Sequence, residues 1–302
     1  MFDTFKNRLT ITGTLETVTA LRVSSGRSLE PIGCDLPVMK DALGYPLIPG
    51  SSFKGALRSR LESFLRGVFS GVSETHLRHL VANPSDESEW SITASEMRAL
   101  KTRYTDDRQY TDDRQLTDHI LQNTDLISKV FGSPWLSSKF QVRDLTIDNP
   151  AENWFGQYQE RDGVAIDRDT ETAADGKLYD FQVVPAATPF EFKAVMENAE
   201  PWELGLLMLG LHQFEREQIP LGGGRSRGLG IVRLKLDRMD WVNPSSPNEL
   251  LTYLQHLVDD ELNDYHLNED QQQALKDQWM TALLTELRRR SPQPTTPVND
   301  VS

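Results

Sequence analysis

The sequence predicts an α+β domain whose single sheet carries its helices on one face. Three observations lead there. The opening run LTITGTLETVTALRV alternates in character and is rich in Thr, Val and Ile; two later stretches place apolar residues at helical spacing; and, with insertions set aside, the elements follow as strand, helix, strands, helix, strand.

Residues 8–22 read as a strand or hairpin. The segment from Ser24 to Gly50 is dense in glycine and proline, which breaks any regular element, although LPVM at 36–39 is short and apolar enough for a strand. A helix follows, with Ser51 and Ser52 as candidate N-caps. Its buried stripe is Phe53, Ala56, Leu57, Leu61, Phe64 and Leu65, and Lys54 and Arg58, four apart, share another face. Residues 71–130 are polar and helical in propensity. They hold YTDDRQ twice in tandem, at 104–109 and 110–115, a period that fits neither helix nor strand and reads as duplication inside an exposed insertion.

Regular structure resumes where Phe140, Val142, Leu145 and Ile147 suggest a strand with a bulge near Asp144. Residues 163–198 give the strands VAIDR, KLYDFQVV and PFEFKAVM, the first two joined by a polar loop with Asp175–Gly176. Pro201 then opens a helix striped by Leu204, Leu207, Met208, Leu211 and Phe214, and a glycine-rich turn leads into a strand over 231–241. From Asn243 onward the composition shifts. Ten acidic and four basic residues follow a linker, NPSSPNE, with helical patterns at 248–262 and 268–290 and a proline-rich tail, 291–302, expected to be disordered. This appendix suits a cap on the domain or a protein-docking arm.

Composition narrows the function classes. With 38% apolar residues in 302, the chain can bury a core. One cysteine, Cys34, excludes an internal disulfide framework or zinc ribbon, and the N-terminus lacks the apolar run of a signal peptide. The longest apolar-rich stretch, 204–214, falls short of the ~20 residues a membrane span needs. A soluble cytoplasmic protein without a membrane partner is the expectation. A net charge of -13 opposes nucleic-acid binding at first sight, yet residues 50–66 sum locally to +3 and residues 222–238 to +4. If those segments meet, they form a basic groove on an acidic body; otherwise they are two solvated faces.

Both segments also carry anion-binding motifs. Gly50 and Gly55 stand at P-loop spacing, but Ala56 and Leu57 occupy the positions where a nucleotide-binding loop needs Lys and Ser or Thr. GGGRSRGLG, at 222–230, follows a helix and precedes a strand, the reverse of the dinucleotide fingerprint. Its glycines let the backbone approach a bulky anion, and its arginines offer bidentate donors. Two anion-holding elements without a Walker lysine point to nucleic acid rather than nucleotide.

The motifs IPGSSFKGALRSRLE, VFGSPWLSSKFQVRDLTI, GVAIDRDT with GKLYDFQVVPAATPFEF, and LGGGRSRGLGIVRL resemble, in this order, the RAMP superfamily, and specifically the backbone subunits of type III CRISPR effector complexes. The likeness covers residues 8–241. It implies a ferredoxin-like, RRM-related core over 1–242, with a helical lid at about 71–130, a β-hairpin thumb at about 163–185, and a helical appendix at 243–290. Such subunits stack along a guide RNA that pairs with a target RNA, and they assemble with other subunits of the complex. The implied RNA-binding set is Ser51, Ser52, Lys54, Arg58, Arg168, Gly223, Gly224, Arg225, Ser226 and Arg227. Backbone contact suffices there, because base pairing reads the sequence.

The resemblance also singles out Asp35, in IGCDLPV, as the residue supporting cleavage of target RNA with Mg²⁺ or another divalent metal bound transiently. One carboxylate can position a cation or orient a ribose 2′-hydroxyl. A capped turn is its bland role, Asp41 is a weaker candidate, and a non-catalytic scaffold in the same assembly is the alternative. A free-standing guide-processing nuclease needs a general base, for which only His212 is placed. None of the six histidines forms a metal pattern. Trp154, Phe155 and Tyr158 are candidates for stacking on a base or for local packing.

Overall fold

The computed structural model describes residues 3–24, 26, 34–105, 112–163 and 179–291. In chain order the elements are β1 (Arg8–Thr17), α1 (Gly50–Val68), α2 (Glu74–Leu77), α3 (Ala94–Arg103), α4 (Asp113–Asn123), α5 (Leu126–Phe131), β2 (Phe140–Val142), α6 (Pro150–Asn153), β3 (Gln159–Gly163), β4 (Tyr179–Val183), β5 (Pro189–Glu197), α7 (Pro201–Glu215), β6 (Val232–Val242), α8 (Pro247–Asp259) and α9 (Glu269–Arg290).

β1 alternates strictly between half-buried and buried positions, so Leu9, Ile11 and Leu15 enter the core while threonines line the other face. It is one strand, not a hairpin, because after Thr17 the amides of Val18 and Thr19 both turn to the Ile231 carbonyl. The sheet is antiparallel in the order β2-β5-β1-β6, and β3 pairs with β4 in a separate hairpin. α1 and α7 pack on its apolar face. Phe53 of α1 stacks on Phe214 of α7 at 4.3 Å and tilts against Phe192 of β5 at 5.1 Å.

Some expected boundaries move. Pro49, not a serine, is the N-cap of α1, and Ser51 and Ser52 lie inside its first turn without a side-chain cap. The reason is packing. A Cβ at Gly50 would stand 2.6 Å from the Val142 carbonyl, so the helix begins in contact with the end of β2. The strand expected over 140–147 breaks after Val142; Leu145 bridges to Ile48, Ile147 bridges to Phe190, and Asp144 turns away between them. The first hairpin strand is described at Gln159–Gly163, whereas VAIDR, Arg168 and the centre of the proposed thumb lie outside the described residues. So do the middle of the tandem hexads, 106–111, and the tail from 292. Within the second hexad, Asp112 caps α4 by accepting from the Gln115 amide.

The described residues of 71–130 form the helices α2 to α5, in keeping with their helical propensity. α7 is buried at ten of its fifteen positions, more than one stripe requires, because it is covered on two sides. A Cβ at Gly210 would meet Leu57 of α1 at 2.4 Å, and one at Gly205 would meet the Trp279 carbonyl of α9 at 2.2 Å. The appendix is therefore a cap on the domain. α8 attaches through Tyr253, stacked on Phe5 at 5.6 Å, and leaves Leu251, Leu254, Leu257 and Val258 exposed. Under α7 lies a buried ion pair, Lys139 Nζ to Glu203 at 2.6 Å. Burial pushes the Glu203 carboxyl up, and Lys139 opposes that shift.

At the end of α9, hydrogen bonds from Arg289 first and Arg290 next, against burial, hold the Glu286 carboxyl down at about 2 from an ordinary 4.5. A depressed carboxyl stabilises the fold above the unfolded value and loses that contribution as pH falls toward the folded one. Acid titration of the melting temperature between pH 5 and 2 should show a steeper loss for the wild type than for Glu286→Gln. Parallel curves would remove this ion pair from the stability of α9.

Candidate nucleic-acid interface

Beyond β1 the chain runs on through Ala20–Ser24, and the backbone bonds of this short segment tie four pieces together. The carbonyls of Ala20 and Arg22 accept from Gly230 and Gly223 in the glycine-rich loop, at 2.9 and 2.8 Å. Leu21 exchanges bonds with Val184 below the hairpin, at 2.9 and 2.8 Å. The Val23 carbonyl accepts from Met39, whose own carbonyl accepts from Leu47, just before α1. The glycine-rich loop and the start of α1 thus sit at the same end of the sheet, with the ribbon 22–23, 39 and 47 between them.

The glycines of the loop answer to close approach. Gly222 and Gly230 have φ of +71° and +85°, and a Cβ on either would come within 2.0 Å of a backbone oxygen, of Arg22 and Leu221 respectively. Gly223 spends its amide on Arg22, so it is not a free anion donor. Gly224 at φ +76° starts a single 3-10 turn, Arg225–Arg227, and the Arg225 and Ser226 amides have no acceptor among the described residues. Arg225, Ser226 and Arg227 are all exposed. The Arg227 guanidinium donates to the Tyr179 hydroxyl at 3.0 Å, which lowers that phenol's pKa, and Arg22 lies over the Phe181 ring at 4.6 Å.

The start of α1 is arranged differently. The Gly50 amide donates to Asp144 Oδ1 at 2.8 Å, so the helix's positive end already faces a carboxylate from its own chain. Ser51 is exposed and Ser52 half-buried. Lys54 and Arg58 do share a face, but it looks inward. Lys54 donates to Ser138 Oγ at 2.7 Å and to the Phe140 carbonyl at 3.3 Å, and burial, then Arg58, lowers its pKa. Arg58 pairs with Glu62 at 2.7 Å and donates to the Gly132 carbonyl at 3.0 Å. Both cations are half-buried, whereas the loop arginines are exposed, Arg225 donating to the Gly222 carbonyl at 3.1 Å and Arg227 to Tyr179.

Asp35 sits on this same support. Its amide donates to Asp180 Oδ1 at 2.7 Å, and the neighbouring Leu36 carbonyl accepts from Gln182 at 3.1 Å. Leu36 and Phe181 form a parallel bridge and pack with Ala20, Val183 and Leu229. Burial first, then Asp180, raises the Cys34 thiol. Asp41 differs, since its carboxylate caps the local turn by accepting from Leu43 and Tyr45, both at 2.9 Å. His212 is engaged with Glu215 at 2.7 Å. Among the candidate stacking residues, Tyr158 donates to the Gly44 carbonyl at 2.6 Å, lies under Lys40 at 4.2 Å and packs on Trp154. Burial, then Asp41, pushes its phenol up to about 12. Phe155 alone of the three is exposed, at 86%.

Sequence reasoning missed Asp144, Asp180, Arg22 and Tyr179. The available signals were an aspartate inside the strand-forming run KLYDF and a carboxylate at a suspected bulge. Among the described residues, no group of three or more His, Cys, Asp or Glu side chains can hold a metal ion. No helix is long and apolar enough to cross a membrane.

The chain belongs to the RAMP superfamily, whose pattern matches residues 14–233. It is similar to the CRISPR system Cms endoribonuclease Csm3 of Enterococcus italicus, 25% identical over 242 residues that cover 78% of this chain and 94% of the relative. A shorter likeness, 37% over 91 residues, relates it to the CRISPR system CMR subunit Cmr4 of Saccharolobus solfataricus, covering 30% of this chain and 28% of that one. Another, 43% over 56 residues, is to Csm3 of Mycobacterium tuberculosis, covering 18% and 24%.

The Asp144 cap generates a prediction. Asp144→Ala should cost about 1–2 kcal/mol, read as a lower urea midpoint with an unchanged slope. Asp144→Asn, which keeps an acceptor, should recover most of it; equal losses in both variants would reject the cap.

Proposed function

We propose that this chain is a guide-RNA-binding backbone subunit of a type III CRISPR ribonucleoprotein and that it cuts complementary target RNA with Asp35. The observation that carries this reading is a linked anchorage: the arginine-bearing glycine loop and the base of the hairpin both bond to residues 20–24, and the hairpin in turn holds the Asp35 amide through Asp180. Such anchorage keeps an RNA backbone, a hairpin able to disturb it and a carboxylate in fixed register. The endoribonuclease names of the Csm3 relatives support the same chemistry. We read the core, β-α-β-β-α-β with strand order β2-β5-β1-β6, as ferredoxin-like, with residues 71–130 as a lid and the β3–β4 hairpin as the base of a thumb.

The grip lies mainly with Arg225, Ser226 and Arg227, joined by Ser51 at the start of α1; Lys54 and Arg58 contribute by holding that helix against the segment 128–140. Arginine forks suit phosphate, and free amides at a tight turn add donors without reading bases. Guide RNA, target RNA and like subunits are the partners. For the cut, Asp35 orients the ribose 2′-hydroxyl and accepts its proton as the 2′-oxygen attacks the adjacent phosphorus. The P–O5′ bond breaks, a proton is returned to the leaving 5′-oxygen, and a 2′,3′-cyclic phosphate remains. A divalent cation held transiently at the Asp35 carboxylate would supply charge stabilisation at the scissile phosphate.

In the assembled complex, Asp35→Ala should bind target RNA within about two-fold of wild type and lose at least about 100-fold in cutting at this subunit's position, consistent with removal of a general base. A retained cut would leave the chain a scaffold. For the grip, replacing Arg225 and Arg227 by Glu should weaken RNA binding alike across sequences and reduce the slope of log affinity against log salt by about 2. An effect confined to one RNA sequence would contradict backbone recognition.

A further inference from the structure

We propose that Asp180 is the positioning residue of the Asp35 loop, fixing the direction in which Asp35 faces the RNA; this inference rests on the catalytic reading of Asp35 given above. Asp180 accepts the Asp35 amide at 2.7 Å across 145 residues of sequence. A carboxylate acceptor makes such a bond shorter and about twice as strong as a neutral one. The next residues continue the alignment through the Gln182 amide to the Leu36 carbonyl and the parallel bridge of Leu36 with Phe181. Asp35 and Leu36 thus lie as a short third strand along the outer edge of β4.

Strand alternation settles the sides. Leu36 shares the face of Phe181, where Ala20, Val183 and Leu229 form a small core. Asp35 therefore projects to the other face, the one carrying Asp180 and Gln182 and their cross-strand partners Asp162 and Glu160. Setting Asp180 directly opposite Asp162 places like charges on one rung, an arrangement that opposes hairpin stability. An uncharged acceptor would avoid that cost, yet the carboxylate gives the stronger hold on the Asp35 peptide. The packed side of the loop is secured by Leu36 with the buried Cys34 and Val38 beside it, whereas the side that carries Asp35 is secured by Asp180. Because reacting groups lose about 100-fold when misplaced by about 1 Å, releasing the Asp35 amide should cost rate rather than binding.

The test uses the assembled complex carrying Asp180→Ala, Asp180→Asn, Asp162→Asn or Asp35→Ala. Asp180→Ala should lower the cutting rate at saturating target about 10- to 100-fold, with target affinity within about two-fold. Asp180→Asn retains an acceptor oxygen and should stay within about three-fold of wild type, and Asp162→Asn, which removes charge without touching Asp35, should cut normally. Hydrogen exchange of the backbone at 34–36 should quicken in Asp180→Ala and remain near wild type in Asp180→Asn. If the Ala variant fails to assemble, the Asn variant and the exchange of the isolated chain decide. Wild-type cutting by Asp180→Ala beside an inactive Asp35→Ala overturns the positioning role alone; equal impairment of the Ala and Asn variants replaces it by a charge effect. Normal cutting by Asp35→Ala overturns the catalytic reading, and the role of Asp180 in cutting with it.

Discussion

The arrangement around the glycine-rich loop depends on where the backbone hydrogen bonds of Ala20–Ser24 go. A strand leaving a sheet must find new partners for every amide and carbonyl it withdraws from the ladder. Here they are found on three sides, in the glycine-rich loop, the hairpin and the 38–39 segment. These parts are separated by up to about two hundred residues of sequence, so their register is set by such long-range bonds and not by local structure. Glycine at 222 and 230 is the condition for it, because any side chain would occupy the space of a carbonyl oxygen.

Much of the fold was legible where its cause is local. The stripes of α1 and α7, the alternation of β1 and the two helices of the appendix all follow from periodicity within a few turns or rungs. What escaped depended on distant partners. Ser51 and Ser52 looked like caps by residue type, but the helix starts before them at Pro49, and the Gly50 amide ahead of both is held by Asp144, which lies about ninety residues further on. Lys54 and Arg58 were rightly grouped on one face; that this face meets the chain at 128–140 cannot be read from the helix itself. The glycine-rich loop and Asp35 stood out as breaks in pattern, whereas Asp180 and Tyr179 were hidden inside a run already explained as strand.

The appendix shows how a family core can be extended without altering its sheet. The superfamily match ends at residue 233, and α8 and α9 follow. In a core closed by one layer of helices, the outer surface of α7 would be wet, and its sequence would alternate accordingly. Instead LGLLMLGL is apolar all round, with Gly205 and Gly210 permitting close approach on opposite sides by α9 and α1. The second coat was therefore already written into α7, whose first turn carries Glu203, buried and paired with Lys139.

Charge placement reconciles a net -13 with the anionic ligand proposed for the loop. Six of those negative charges belong to residues beyond 242, on the appended helices and tail. Near the loop, carboxylates are engaged by backbone amides: Asp144 by Gly50, Asp41 by Leu43 and Tyr45, and Asp180 by Asp35. A carboxylate held by amide dipoles projects less negative potential than one in open solution, whereas the guanidinium groups of Arg225 and Arg227 remain directed outward. Beyond about 8 Å, salt screens the remote acidic surface, so an approaching phosphate responds to the local arginines and not to the sum over the chain. Lys54 and Arg58 differ from the loop arginines in being half-buried, with their charge set against carbonyls, hydroxyls and Glu62 inside the fold.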